Sequence, residues 1–286
     1  MAIAACLFGT LGLAGTARAE LLGDFARFKQ CPWTVAEVDR CLYSVTNGEK
    51  IVLGKKIVPI EKNAMLLQGG LTEPVAEFSK LVAATNGATL VRNPQPIPGG
   101  LAGLVPEASQ PFLVKRLIKY FLENKLTAAN LNPELAKPAS DVGFSEAHLL
   151  GEEEVALELP LKLRLENPFL GKRCYVGSSA SPVEMELTTG ATSPPGPNKP
   201  IEGGAGKEEF LGGGEILRQS GAELVDNAWA APKASGCGGV IAFLVDPIVN
   251  TQLGGTAAGN NTAILTGVID LADASAVELC DEDDCF

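Results

Sequence analysis

The chain carries one histidine, His148, in the run Ser145, Glu146, Ala147, His148, Leu149, Leu150. A Ser or Cys nucleophile normally takes its base from a histidine, so any such scheme would have to pass through this residue. No nucleophile-elbow pattern accompanies it. Its neighbours read as the start of a strand or a turn, which predicts a surface or packing histidine rather than a catalytic one. Carboxylates are abundant, with 34 Asp and Glu in all. A glycosidase pair could hide among them, because acid/base carboxylates have no fixed sequence spacing. The aromatic platforms that usually line a sugar cleft are scarce, since the chain has two Trp and three Tyr. The runs Glu152-Glu153-Glu154 and Asp281-Glu282-Asp283-Asp284 could attract Ca²⁺. Neither has the alternating oxygen ligands and turn glycine of an EF-hand loop, so both read as solvated surface. The glycine runs at 203–206 and 212–214 lack the Lys-Ser/Thr of a phosphate loop. No catalytic, cofactor-binding or metal-ligating residue is assigned.

Cysteine carries a firmer signal. Cys6 falls in the apolar N-terminal segment, which leaves Cys31, Cys41, Cys174, Cys237, Cys280 and Cys285. Six cysteines allow 15 connectivities, and sequence alone cannot choose among them. Proximity favours Cys31–Cys41 and Cys280–Cys285, which leaves Cys174–Cys237 as the long-range link. A zinc site is the poorer reading, because there is no C-x-x-C and only one histidine.

The N-terminus predicts an oxidising destination. Residues 2–15 are apolar or small and uncharged, and Ala17-Arg18-Ala19 is a small-x-small cleavage site. The expectation is a signal peptide over 1–19, cut after Ala19, and a secreted, extracellular product. No Lys or Arg precedes the apolar run, which points to a start further upstream. Ile3-Ala4-Ala5-Cys6 resembles a lipoprotein box but reads better as a Cys inside the apolar region. No later segment is long and apolar enough to span a membrane as a helix. The formal net charge is −11, and losing Arg18 makes it more negative. Such a chain has no electrostatic footprint for nucleic acid or anionic lipid. An extracellular or envelope partner of unknown kind is expected, and no cofactor.

The elements that would position these groups are mainly strands. Cys41–Thr46 is rich in β-formers, and Asn47-Gly48 predicts a hairpin turn. Ile51–Leu53 then returns, Gly54-Lys55-Lys56 turns again, and Ile57–Ile60 and Ala64–Gln68 continue the meander. Residues 109–124 predict a helix capped by Ser109, with Leu113, Leu117 and Phe121 on its apolar stripe, widened by Val114, Ile118 and Leu122, packed on the core. Over Val155–Glu166 six apolar residues alternate with Ala156, Glu158, Pro160, Lys162, Arg164 and Glu166. That period of two predicts a strand with one buried face, and Pro160 predicts an edge or a bulge. Val183, Met185 and Leu187 alternate with Glu184 and Glu186 in the same way. Gly239–Val245 reads as a buried strand, Asp246-Pro247 as the start of a helix to Leu253, and Thr262–Leu271 as the last strand. The fold class is mainly β, a β-sandwich-like domain of short antiparallel strands with a helical insertion. Residues 20–286 form one β-rich domain: a sandwich from 30–70 plus 150–272, the insertion at 72–140, and an acidic, disulfide-closed tail at 273–286.

Several motifs carry a resemblance. Near the N-terminus these are Cys31-Pro32, the run from Cys41 to Gly48, Val52–Lys56, Val58–Ile60 and Gln68–Gly70. Further on they are Leu165–Gly171, Cys174–Ser178, Leu187–Pro195, Asn198–Ile201, Leu224–Ala228, Gly236–Gly238 and Ala258–Ala263. Together they resemble an uncharacterised family of secreted proteins from high-GC Gram-positive bacteria, over most of the chain except 72–140. The resemblance implies no activity. The expected function is a non-enzymatic extracellular or envelope protein, a binding or structural module. The alternatives are a carboxylate-dependent secreted hydrolase of glycosidase type and a carrier of lipid or another hydrophobic ligand. A filled core favours the module, a cleft with two convergent carboxylates the hydrolase, and a deep apolar cavity the carrier.

Overall fold

The computed structural model describes residues 21–152, 154–255 and 257–282. The expected signal peptide and its cleavage site lie outside the described residues, as does Cys285. A 3-10 turn at Gly23–Phe28 buries Phe25 and Phe28 and leads into the sheet.

Strand β1 (Arg40–Leu53) runs straight through the predicted hairpin. Asn47-Gly48 is not a turn. The ladder to the last strand slips between Thr46 and Gly48, and Glu49 takes a left-handed conformation with φ 80°. One extra residue and one αL residue are the makings of a β-bulge, which uses turn-forming residues without reversing the chain. Both flanking runs find better partners elsewhere, so they remain collinear. The reversal comes at Gly54-Lys55, before β2 (Lys56–Pro59). Gly54 has φ 56°, and a Cβ there would sit 2.2 Å from the Leu253 carbonyl oxygen, so glycine is required.

The chain continues through β3 (Met65–Leu71), β4 (Ser79–Ala83), β5 (Leu90–Arg92) and β6 (Gln95–Pro96). Two helices follow, α1 (Gly100–Leu104) and α2 (Phe112–Glu123), then β7 (Asn130–Leu135), β8 (Gly143–Phe144) and α3 (Glu146–Gly151). The stretch 72–140 is therefore more than a helical insertion. Strand β4 joins β3 to β8, and β7 pairs with six residues, Leu161–Glu166, of the long strand that follows α3. Elements of two to six residues broken by prolines are too short to show a period. Helix α2 begins two residues after Gln110, with Pro111 rather than Ser109 at its N-cap. Its buried stripe is centred on Val114 and Ile118, flanked by Leu117, Phe121 and Leu122, while Leu113 is exposed. The helix packs on the core as expected, through the Val114–Ile118 side of the predicted stripe.

Strand β9 (Val155–Glu166) pairs with four others, β7, β8 and two strands that follow it. Leu157, Leu159, Leu161, Leu163 and Leu165 are buried, while Glu158, Lys162, Arg164 and Glu166 are only partly so. Pro160 is neither at an edge nor at a bulge. Its carbonyl accepts from Ala136 N just past the end of β7. Carbonyl and amide of one strand residue point to the same side, so the missing N–H falls in the gap between β7 and β8, where the ladder is interrupted anyway.

After β9 come β10 (Tyr175–Val176), β11 (Val183–Thr188), β12 (Lys207–Leu211), β13 (Ile216–Asp226), β14 (Ala234–Ser235), α4 (Ala242–Leu253), β15 (Asn261–Asp273) and α5 (Ala274–Glu282). The predicted buried strand 239–245 is instead a 3-10 turn leading into α4. Val240 and Phe243 are exposed, and Val245, Val249 and Leu253 are buried at helical spacing. A short apolar run does not distinguish strand from helix. Side-chain bonds from the helix to the preceding loop decide here: Asp246 accepts from the amides of Gly236 and Cys237, and Asn250 brackets Ala234. The acidic tail likewise contains a helix, α5, which buries Val277 and Cys280 against the N-terminal turn.

The protein is thus a mainly β, sandwich-like fold of antiparallel strands. Its main strands run β9, β11, β13, β15, β1, β3, β4, β8 and back to β9, so the sheet closes on itself and these members have no free edge. Beyond that ring, the second half of β9 pairs with β7 on one side and β10 on the other. Inside, leucines from opposite walls meet around a residual cavity of about 30 Å³ bordered by Met65, Leu67, Leu157, Leu159, Leu224 and Leu265. That is room for about one water molecule. Cys31–Cys41 and Cys174–Cys237 are bonded as expected. Cys280 is also disulfide-bonded, and its expected partner lies outside the described residues. No helix among the described residues is long and apolar enough to cross a membrane.

Candidate functional site: an acidic cleft on the β9–β11 wall

Strand alternation places Leu157, Leu159, Met185 and Leu187 inward, so Glu158 and Glu186 must face outward. Register then brings the two together, because Glu186 stands directly opposite Glu158. Like charges in that relation repel. One cation stands near, Lys80 of β4, with Nζ 3.7 Å from Glu158. The next residue across the sheet is Gly143 of β8. A Cβ there would lie 2.3 Å from Glu158 Oε2, so this glycine makes room for the carboxylate.

Asp226 ends β13 beneath this row and is 3 % exposed. Its Oδ2 accepts from the Glu186 amide at 2.9 Å and its Oδ1 from the Ala228 amide at 2.8 Å. The side chain thereby pins β11 to the turn after β13. Burial pushes its carboxyl above the usual aspartate range; the amides of Ala228 and Glu186 pull it back, and the nearby Glu186 charge pushes it up again. These groups border a cleft of about 470 Å³ lined by Phe78, Glu154, Glu158, Glu186, Thr188 and Asp226.

His148 stands at the margin of this cleft. It lies on α3, not at the start of a strand, and Ser145 caps that helix by accepting from the His148 amide. The ring is braced by the Val155 carbonyl, 2.8 Å from Nδ1, and by the edge-on ring of Phe78. Nε2 faces Glu77 at 3.4 Å and Glu154 at 3.9 Å. No base–nucleophile pair forms at its ring, because the described polar partners of the ring nitrogens are carboxylates and a backbone carbonyl.

The other strand glutamates do not join the site. Glu184 pairs with Lys137 and Glu166 with Arg164. Of the acidic runs, Glu152 accepts from the Ala205 amide and Glu154 reaches the cleft. Glu153 and the side chains of 281–284 lie outside the described residues. Gly203 approaches the backbone so closely that a Cβ would be 2.4 Å from the Glu223 carbonyl oxygen, so that glycine run serves packing. Sequence reading missed Asp226. The available signal was an Asp-Asn pair closing an apolar strand, which reads as an ordinary turn. No family model, curated protein or solved structure matches the chain.

Proposed function

We propose that this chain is an exported, non-enzymatic binding module, of the uncharacterised secreted family its motifs resemble, and that its ligand is cationic and seats in the acidic cleft. The observation that carries the reading is the direct opposition of Glu158 and Glu186, with Asp226 below and Lys80 as the near cation. Adjacent like charges raise the energy of the unliganded protein, and a bound cation would recover it. The two described disulfides and the small-x-small site support export. The filled interior argues against a carrier, since a lipid tail cannot enter about 30 Å³.

The hydrolase has one observation in its favour, a raised carboxyl at Asp226 beside Glu186. Both Asp226 oxygens, however, already receive backbone N–H groups. A general acid must present its proton to substrate, and this carboxyl is turned into the fold.

Calorimetric titration with lysine- and arginine-rich peptides and with a polyamine tests the proposal. The expected result is saturable binding that weakens with salt and falls at least tenfold in Glu158→Gln/Glu186→Gln. Equal affinity for acidic peptides would overturn it. So would reproducible hydrolysis of glycosides lost on Glu186→Gln.

A further inference from the structure

The geometry around His148 does something the cleft does not use. A backbone carbonyl can only accept, so the contact from Nδ1 to the Val155 oxygen at 2.8 Å puts the proton of a neutral imidazole on Nδ1. The lone pair is then on Nε2, and it is aimed at two carboxylate oxygens. Nε2, a Glu77 oxygen and a Glu154 oxygen all lie within 4.8 Å of one another, three acceptors with no donor among them. At 3.4 and 3.9 Å the two Nε2 contacts are long for charge-assisted hydrogen bonds, which close to about 2.7–2.9 Å. The shorter suits atoms that share a metal, and the exposed Glu154 has only to close by about half an ångström to join them. Ligands about 2.0–2.1 Å from a tetrahedral ion stand about 3.3 Å from each other.

The supports are those a ligating histidine uses. One ring nitrogen is anchored to a carbonyl, which fixes the tautomer, and an aromatic edge at 5.6 Å fixes the ring plane. The His148 side chain is 13 % exposed, so its orientation is held by packing. The carboxylates come from elsewhere in the chain. Glu77 is at the tip of the tight turn bridged by Val75 and Phe78, and Glu154 immediately precedes β9. Both are exposed, which leaves an ion between them open to water.

We infer that His148 Nε2, Glu77 and Glu154 form a binding site for one divalent first-row transition metal ion. One imidazole and two carboxylates suit Zn²⁺, Mn²⁺ or Fe²⁺. Three protein ligands leave at least one coordination position open. The site borders the cleft and shares Glu154 with its lining, but Glu158 and Glu186, which carry the cation-binding reading, are not ligands.

The test is calorimetric titration of tag-free, chelator-free protein with ZnCl₂, paired with nitrogen-15 NMR of the one histidine ring. The expected result is one equivalent bound, with the Nε2 resonance shifting on zinc addition. His148→Ala and Glu77→Gln should each weaken binding at least tenfold, and Glu158→Gln should leave it unchanged. Glu77 sits on an exposed turn, so its variant should melt like the parent even if removing His148 disturbs the fold. Absence of saturable one-equivalent binding would overturn the site. So would zinc affinity unaltered in both variants, or an Nε2 resonance that responds to pH and not to zinc. Loss of peptide binding in the Glu158 variant with zinc binding intact would bear on the cleft alone.

Discussion

Arg218 of β13 grips Asp270 of β15 with two hydrogen bonds, Nε to Oδ1 at 2.7 Å and Nη2 to Oδ2 at 3.0 Å. Arg27, from the N-terminal 3-10 turn, adds a third at 2.5 Å. The Asp270 side chain is 1 % exposed, so these contacts compensate a charge withdrawn from water. They also fasten the N-terminal turn to the sheet wall. Arg218→Ala removes two of the three bonds and should cost about 2–3 kcal/mol, the range for hydrogen bonds to a charged group. Arg27→Ala should cost less, because the bidentate grip survives. Urea denaturation of both variants reads the difference, and the reverse order would refute the assignment.

Asp226 makes a prediction about pH. Burial lifts its carboxyl above the unfolded value, so the folded chain holds that proton to higher pH than the unfolded chain does. Its contribution to stability is full below the unfolded pKa, near 3.9, and is lost as pH rises through the folded value. Asp226→Asn cannot titrate. The stability of the parent minus that of the variant should therefore shrink as pH rises through this window. Denaturation midpoints measured across the acid range give that difference, and a constant or growing difference contradicts the burial account.

Two described disulfides differ in the loop they close. Cys174 and Cys237 are 63 residues apart and Cys31 and Cys41 are 10 apart. On the chain-entropy argument the longer loop is worth about 4 kcal/mol and the shorter about 3 kcal/mol. Paired Cys→Ala variants, compared by guanidinium denaturation, should show that order.

The opposed glutamates predict a trade between stability and binding. Glu186→Gln removes the like-charge pair while keeping the amide that Asp226 accepts. It should stabilise the protein by about 0.2–1 kcal/mol and weaken a cationic ligand. A destabilised variant would mean that the repulsion is already relieved by Lys80.

What was legible in the sequence follows from short-range physics. The alternation over Val155–Glu166 and Val183–Leu187 required one buried and one wet face wherever those strands lay, so the outward direction of Glu158 and Glu186 was already determined. The pairing of Cys31 with Cys41 followed from proximity, and that of Cys174 with Cys237 by elimination. Local signals failed where tertiary partners outweighed them. Asn47-Gly48 became a bulge because β15 offered a continuous ladder, and 239–245 became helical because Asp246 and Asn250 found the preceding loop. Only the tertiary structure decided the site. Register set Glu158 against Glu186, a buried turn placed Asp226 beneath them, and three separate elements brought Glu77, Glu154 and His148 together. Which residues share a face is a property of the local period, whereas which faces meet depends on long-range pairing that no short window of sequence contains.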